Sequence, residues 1–333
     1  MVEGGCSSGF RVAVVIPCYR VRAQVLDVIA SLPDWLEKIY VVDDACPENS
    51  GAHVGNSCAD IRVEVLTHER NSGVGGAVIT GYMKAYADGM DVIVKMDGDG
   101  QMDPLMLEAL IAPILRGEAD YAKGNRFYDL SGISAMPVTR IVGNAVLSFM
   151  TKVSSGYWGI FDPTNGFTAI HAGMLSIIPV DKISRRYFFE TDTLFRLNIA
   201  RAVVVDVPMH ARYGEEISNL NIKKVLLDFL VKHSRNAIKR VFYSYFLRDL
   251  SLASIELLFG LSLMTTGTVT GVCYWLNSSA AGVFTSAGPV MLAAIQILVG
   301  LQLILGFLAY DIGSAPKTPM HRLLPPRGRG LLG

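Results

Sequence analysis

Residues 91–101 read Asp-Val-Ile-Val-Lys-Met-Asp-Gly-Asp-Gly-Gln, an apolar run that stops abruptly in an acidic, glycine-spaced cluster. Asp91 to Met96 has the β-branched density of a buried strand. Asp97, Asp99 and Gln101 then stand at alternate positions, and an extended segment turns alternate side chains the same way. Hard oxygen donors in that arrangement suit a divalent cation such as Mg2+ or Mn2+. Gly98 and Gly100 leave room for a phosphate to approach, where the cation would act as a Lewis acid towards a leaving pyrophosphate. The same letters occur in ordinary acidic turns and in calcium loops. Counted from Asp97, however, the twelfth position of such a loop is Glu108, inside a helix-like run without the intermediate ligands.

Towards the N-terminus the strand-then-polar pattern repeats. Arg11 to Ile16 is stopped by Pro17, Ile39 to Val42 by Asp43-Asp44, and Val63 to Leu66 forms a further run. Ala23 to Leu36 and Ala77 to Asp88 read as intervening helices, so a doubly wound α/β sheet is predicted. Ligands of such sheets bind beyond the carboxyl ends of the strands. Pro17-Cys18-Tyr19-Arg20, Asp43-Asp44 and Asp97-Gly98-Asp99 are therefore expected to converge on one crevice. Asn71 to Gly76 reads either as a phosphate-binding turn or as a plain tight turn, and it lacks the Gly-Lys-Ser/Thr of a Walker loop. Arg126, after a short strand at Asp120 to Lys123, could hold phosphate oxygens bidentately or be an ordinary surface arginine. Asp162 lies in a turn and Glu190 opens a helix, and either carboxylate could be a turn or cap residue instead.

The C-terminal part is of another kind. Leu250 to Leu276 and Ala287 to Tyr310 are almost entirely apolar or small, each long enough for the ~20 residues that cross a bilayer as helix. The segment between them carries no Lys or Arg, whereas Lys239, Arg240 and Arg248 precede the first span and Lys317, Arg322, Arg327 and Arg329 follow the second. The positive-inside rule then puts both termini and the N-terminal domain in the cytoplasm. Asn221 to Arg248 mixes basic residues with Val225, Leu226, Phe229 and Leu230 at helical spacing, as in an amphipathic helix on a membrane surface, the alternative being a plain solvated face. No secretory signal is evident, and the five cysteines show neither zinc spacing nor a disulfide framework. With 30 basic and 30 acidic residues there is no basic excess, and no nucleic-acid partner is expected.

The expected organisation is a catalytic domain over residues 1–220, juxtamembrane helices over 221–249, a two-helix membrane region over 250–312 and a basic, disordered tail over 313–333. Gly260, Gly267 and Gly271 are expected to leave a face for self-association, hence a homo-oligomer.

Taken in order, these motifs resemble glycosyltransferase family 2, and within it the polyprenyl-phosphate branch that includes dolichyl-phosphate mannose synthases. The family's elements stand here as Ile16-Pro17-Cys18-Tyr19, Asp43-Asp44-Ala45-Cys46, Asn71 to Gly75, Asp97 to Gln101, Gly124-Asn125-Arg126, Asp162 to Phe167, and Val207-Pro208 through Arg212 to Ser218. The resemblance covers Val12 to about Leu227 and, in architecture, the two spans. It implies a GT-A Rossmann-like domain with a mostly parallel sheet, followed by interface helices and two transmembrane helices. By the same resemblance Pro17, Tyr19, Asp43, Asp44, Gly73 and Gly75 belong to the nucleotide site, with Asp97, Gly98 and Asp99 beside the diphosphate. Asp97, Asp99 and Gln101 hold Mg2+ or Mn2+, and Glu190 sits near the donor sugar. Arg126 and Arg212 bind the acceptor phosphate, and Asp162 orients the acceptor or serves as base.

The implied reaction is inverting, metal-dependent transfer of a sugar from a nucleotide diphosphate sugar to a polyprenyl monophosphate at the cytoplasmic face. A UDP-sugar such as UDP-glucose is expected ahead of GDP-mannose. Arg20-Val21, Ala45-Cys46, Val74 and Asn219 depart from the family pattern. A non-catalytic membrane scaffold, or a transferase acting on another lipid or glycan, is the alternative. A processive polysaccharide synthase would need Q-x-x-R-W, and none of Trp35, Trp158 or Trp275 follows an Arg.

Overall fold

A computed structural model describes residues 9–128, 138–162, 165–209 and 222–325, with side chains omitted at 138–140 and 222–226. Arg212, Ser218, Asn219, Pro163, Thr164, Arg327 and Arg329 lie outside the described residues. The chain forms two compact units, Met1–Ala237 with Pro316–Gly333, and Ile238–Ala315.

Among the described residues of the first unit, β1 (Val12–Cys18), β2 (Lys38–Asp43), β3 (Val63–Thr67), β4 (Val92–Lys95), β5 (Tyr121–Asn125), β6 (Thr168–His171) and β7 (Val204–Pro208) form one sheet. Its order is β3-β2-β1-β4-β6-β5-β7. Of these strands β6 alone runs antiparallel to its neighbours, between β4 and β5. The helices of this unit are α1 (Val25–Ala30), α2 (Ser50–Ser57), α3 (Val74–Ala87), α4 (Leu107–Leu115), α5 (Val138–Ser155), α6 (Phe189–Ile199) and most of α7 (Ile222–Phe242).

The central strands β1 and β4 are mostly apolar and buried because both faces are covered. Val12, Val14 and Ile16 of β1 join Leu107 and Leu110 of α4 in one core, while Ala13 and Val15 join Ala77 and Tyr82 of α3 in the other. The period of two in an extended chain thus divides β1 between the layers. On the α3 side Gly81 permits a very close approach, since a Cβ there would lie 2.3 Å from Val15 Cγ1.

Pro17, expected to stop the first strand, lies inside it and pairs with Val42. Met96 N donates to Val15 O and Asp44 N to Cys18 O, so odd-numbered residues of β1 face β4. The ladder with β4 ends at Val15, and the donor that proline lacks falls just past it.

The tail expected to be disordered departs from that reading as far as residue 325. Met320–Leu323 make a 3-10 turn, and the amides of Met320 and His321 each donate to the Asp120 carboxylate at 2.8 Å. His321 Nδ1 meets the same carboxylate at 2.7 Å and its ring stacks on His171. Asp120 is fully buried, and a buried carboxylate needs this many donors; the tail supplies them.

In the second unit, α8 (Leu252–Ala280) and α9 (Ala287–Gly313) are long and apolar enough to cross a membrane, and only 22% and 17% of their most apolar windows are buried. They pack on each other through small residues. A Cβ at Gly260 would lie 3.1 Å from Gly300 O, and one at Gly267 3.1 Å from Ala293 O. These glycines therefore face the partner helix of the same chain and not an open face, which removes the basis for the expected self-association. Arg240 closes a buried bidentate pair with Asp311 at 2.6 and 3.0 Å, joined by the Tyr245 hydroxyl at 2.6 Å.

Candidate active site

Three strand ends meet as the alternation of strands and helices predicts. Pro17 near the end of β1 and Tyr19 just after it, Asp44 after β2 and Asp97-Gly98-Asp99 after β4 line one cavity of about 450 Å³. A smaller cavity of about 140 Å³ is lined by Gln101, Arg126, Gly166 and Phe167, and Asp97 and Asp99 border both. The acidic cluster is thus a wall between two hollows.

The two adjacent aspartates part company. Asp43 borders neither cavity; its carboxylate accepts from Cys46 N at 2.7 Å and Gly51 N at 2.6 Å, fixing the turn into α2. Asp44 borders the larger cavity while accepting from Ser72 N and Gly73 N, both at 2.7 Å, and facing His68 Nδ1 at 2.8 Å. Gly76 N donates to Arg185 O at 3.0 Å. The amides of Ser72, Gly73 and Gly76 therefore already have protein acceptors, while Asn71, Gly73 and Val74 of the same turn border the larger cavity. The glycines serve close packing: at Gly73, whose φ is +86°, and at Gly75, a Cβ would lie 2.5 Å from the carbonyl oxygens of Arg185 and Ser184 respectively. That contact lays the segment before α6 over the turn and brings Arg186 and Tyr187 to the cavity.

Beneath the acidic cluster lies a lysine that the motif reading passed over. Lys95, in β4 and 2% exposed, places Nζ 2.7 Å from Asp97 Oδ1 and 3.8 Å from Glu190 Oε1. Burial alone would depress its pKa, but Asp97, Glu190 and Asp99 outweigh burial and hold it above the ordinary lysine value. Glu190 borders neither cavity and is tied to the site through this ammonium. Gly166 makes the contact possible, since a Cβ there would lie 2.1 Å from Lys95 Nζ and 3.0 Å from Asp97 Oδ2. Gln101 N donates to Asp99 Oδ1 at 3.0 Å, curling the cluster round Gly100.

Among the described residues no group of three or more His, Cys, Asp and Glu side chains gathers as a closed metal site. Asp97 and Asp99, open to a cavity on either side, would suit a hard cation that takes its remaining oxygen ligands from a phosphate and water. In that sense the residues fit Mg2+ or Mn2+.

Arg126 grips Asp162 bidentately, Nε to Oδ2 at 2.8 Å and Nη2 to Oδ1 at 3.1 Å. Asp162 is fully buried; burial pushes its carboxyl up, yet Arg126 and Lys123 more than offset this and hold it below the usual range. A carboxylate so held is a poor proton acceptor and a good orienting group. Lys123 of β5 is also fully buried, its pKa depressed by burial, and its Nζ donates to the Asn165 carbonyl. Both lysines are opposite Thr168 of β6 in register. The one signal in the sequence was a lysine inside an otherwise apolar strand, at VIVK and YAK.

The Glycosyl transferase family 2 profile matches residues 13–177. A UDP-N-acetylglucosamine–dolichyl-phosphate N-acetylglucosaminyltransferase of Methanococcus voltae is 29% identical over 216 residues, 61% of this chain and 86% of that protein. An undecaprenyl-phosphate mannosyltransferase of Micrococcus luteus is 30% identical over 203 residues, 60% of this chain and 82% of that protein. Glucosyl-3-phosphoglycerate synthase from Mycobacterium tuberculosis, solved with Mn2+, UDP-glucose and phosphoglyceric acid, has a TM-score of 0.52 at 18% identity over 70% of this chain and 80% of that one, a likeness of fold.

Proposed function

The chain belongs to glycosyltransferase family 2, and from that premise we propose that it transfers a sugar from a nucleotide diphosphate donor to a polyprenyl monophosphate, with inversion at the anomeric carbon. The observation that carries this reading is the position of Asp97 and Asp99 as the common wall of two cavities, one bordered by Asp44 and Tyr19, the other by Arg126. A donor in the first hollow and an anionic acceptor in the second would meet at that wall. The relatives from M. voltae and M. luteus are both named for transfer to a polyprenyl phosphate. A UDP-sugar such as UDP-glucose is the proposed donor ahead of GDP-mannose, in keeping with the UDP-sugar in the M. voltae relative's name.

Asp97 and Asp99, with Gln101, would hold Mg2+ or Mn2+, whose chemistry there is to neutralise charge on the departing nucleotide. Arg126 receives the acceptor phosphate, and Asp162 holds the guanidinium in place. Arg212 is the proposed second cation for that phosphate. Lys95 keeps Asp97 and Glu190 in register below the donor sugar. A lipid monophosphate has a second pKa near ~6 and is largely dianionic at neutral pH, so it needs little help from a base. Asp162 accordingly positions, and the rate comes mainly from alignment and charge neutralisation.

The outward apolar surface of α8 and α9 would be a large exposed patch in water, so a bilayer is its proposed surroundings. The charge asymmetry about the spans supports a topology in which both termini and the catalytic domain are cytoplasmic.

The test is a transfer assay with the full chain in detergent, undecaprenyl phosphate, Mn2+ and a panel of labelled UDP- and GDP-sugars. Label is expected in the organic phase from a UDP-sugar, with loss on chelation and in Asp99→Ala. Absence of transfer from every donor would sink the reading and favour a scaffold.

A further inference from the structure

We infer that Arg186 grips the diphosphate of the donor nucleotide, taking over the role that helix N-terminal amides play in many phosphate sites. Among the described residues lining the larger cavity it is the one cationic side chain, on the same hollow as Asp97, Gly98 and Asp99. Among the described residues it also makes no ion pair, whereas Arg126, Arg196 and Arg240 are each held by a carboxylate.

Charge balance asks for such a group. A nucleotide sugar's diphosphate carries about two negative charges, and a divalent cation is already matched by Asp97 and Asp99. Lys95 lies under Asp97, bound to it, and does not border the cavity. The amides of Ser72, Gly73 and Gly76 are occupied by Asp44 and Arg185, so fewer donors at the start of α3 are left for an anion. A guanidinium fork meets that requirement, since it engages phosphate oxygens in pairs.

The root of the side chain is fixed from two directions. On one side Gly73 lets the segment before α6, a strap over residues 184–187, press in, for a Cβ there would lie 2.5 Å from Arg185 O and 2.9 Å from Arg186 Cγ. On the other, Ser184 N donates to Asp192 Oδ2 at 2.9 Å, and Asp192 Oδ1 accepts from Asn236 of α7 at 2.9 Å. Phe188 is buried between Phe229 and His233, with centroids 5.6 and 5.0 Å away. Arg186 thus stands at a set point on the cavity wall as an exposed residue.

The inference rests on the nucleotide-sugar reading, and the experiment separates the two. Titration calorimetry would follow UDP, UMP and GDP, each with Mn2+, binding to the full chain in detergent and to Arg186→Gln, Arg186→Lys and the surface control Arg116→Gln. For the diphosphate that binds, Kd should rise about tenfold or more in Arg186→Gln, recover partly in Arg186→Lys and stay unchanged in the control. If that diphosphate is UDP, its advantage over UMP should shrink by the same factor, which a general loosening of the fold would not produce. Wild-type affinity in Arg186→Gln, with the parent protein binding normally, overturns the inference and leaves the transferase reading standing. A parent protein that binds neither UDP nor GDP overturns both.

Discussion

The ammonium of Lys95 sits between two carboxylates of different elements, 2.7 Å from Asp97 at the end of β4 and 3.8 Å from Glu190 at the start of α6. One buried cation therefore sets the spacing of two acidic groups 93 residues apart in the chain, 190 minus 97. Lys95→Met would leave both carboxylates without it, at a cost of about 3 kcal/mol or more. Transfer activity is expected to fall at least tenfold on the same grounds. Added Mn2+ should raise the thermal midpoint of this variant more than that of the parent, because a cation then supplies the missing charge; equal gains in the two proteins would count against the role assigned to Lys95.

Asp162 and Arg126 form one unit, so either substitution should disable the other. Asp162→Asn keeps the shape but halves the charge-assisted grip, and kcat/KM for the lipid acceptor should drop by roughly ten- to a hundredfold. With Asp162 in the proposed positioning role, accepting no proton, the residual activity should keep the parent's pH profile. Disappearance of an acidic limb in that profile would make Asp162 the base after all.

Gly166 is tolerated by geometry as much as by conformation. A Cβ at Gly166 would intrude to 2.1 Å of Lys95 Nζ, so Gly166→Ala must push the ammonium away from Asp97, and Mn2+-dependent activity should fall at least tenfold. Gly143 on α5 makes the contrast, with nothing within 4 Å of an added methyl. Gly143→Ala should leave activity intact and add about 0.5–1 kcal/mol to stability, as expected for a helical glycine.

His233 ties α7 to the donor side of the site. Its Nδ1 lies 2.8 Å from Ser154 Oγ, and burial pulls its pKa down to about 4. The folded value lies below the unfolded one of 6.5, so the neutral ring contributes stability above pH 6.5 that is lost as pH falls towards 4. Thermal midpoints measured from pH 7 to 4.5 should decline, and His233→Gln should flatten that decline. Since Phe188 packs on His233 beside the Arg186 strap, donor affinity should weaken over the same interval.

Much of this protein was legible in its sequence. The alternating strands and helices, the acidic cluster at a strand end and the two apolar spans rest on periodicity and local composition, which are properties of neighbouring residues. Their order carried the family as well. What the letters did not distinguish was decided by contacts between distant segments. Asp43 and Asp44 are identical neighbours, yet one anchors a turn and the other borders the cavity, because the chain turns between them. Lys95 and Lys123 become buried charges only once β6 inserts antiparallel between their strands and α6 brings Glu190 near. Arg186 reaches the cavity through backbone packing on Gly73 and Gly75, more than a hundred residues earlier in the chain. Residues 320–321 are held by Asp120 for the same reason: a buried carboxylate must find donors, and no pattern of period two or 3.6 records where in the chain they will come from.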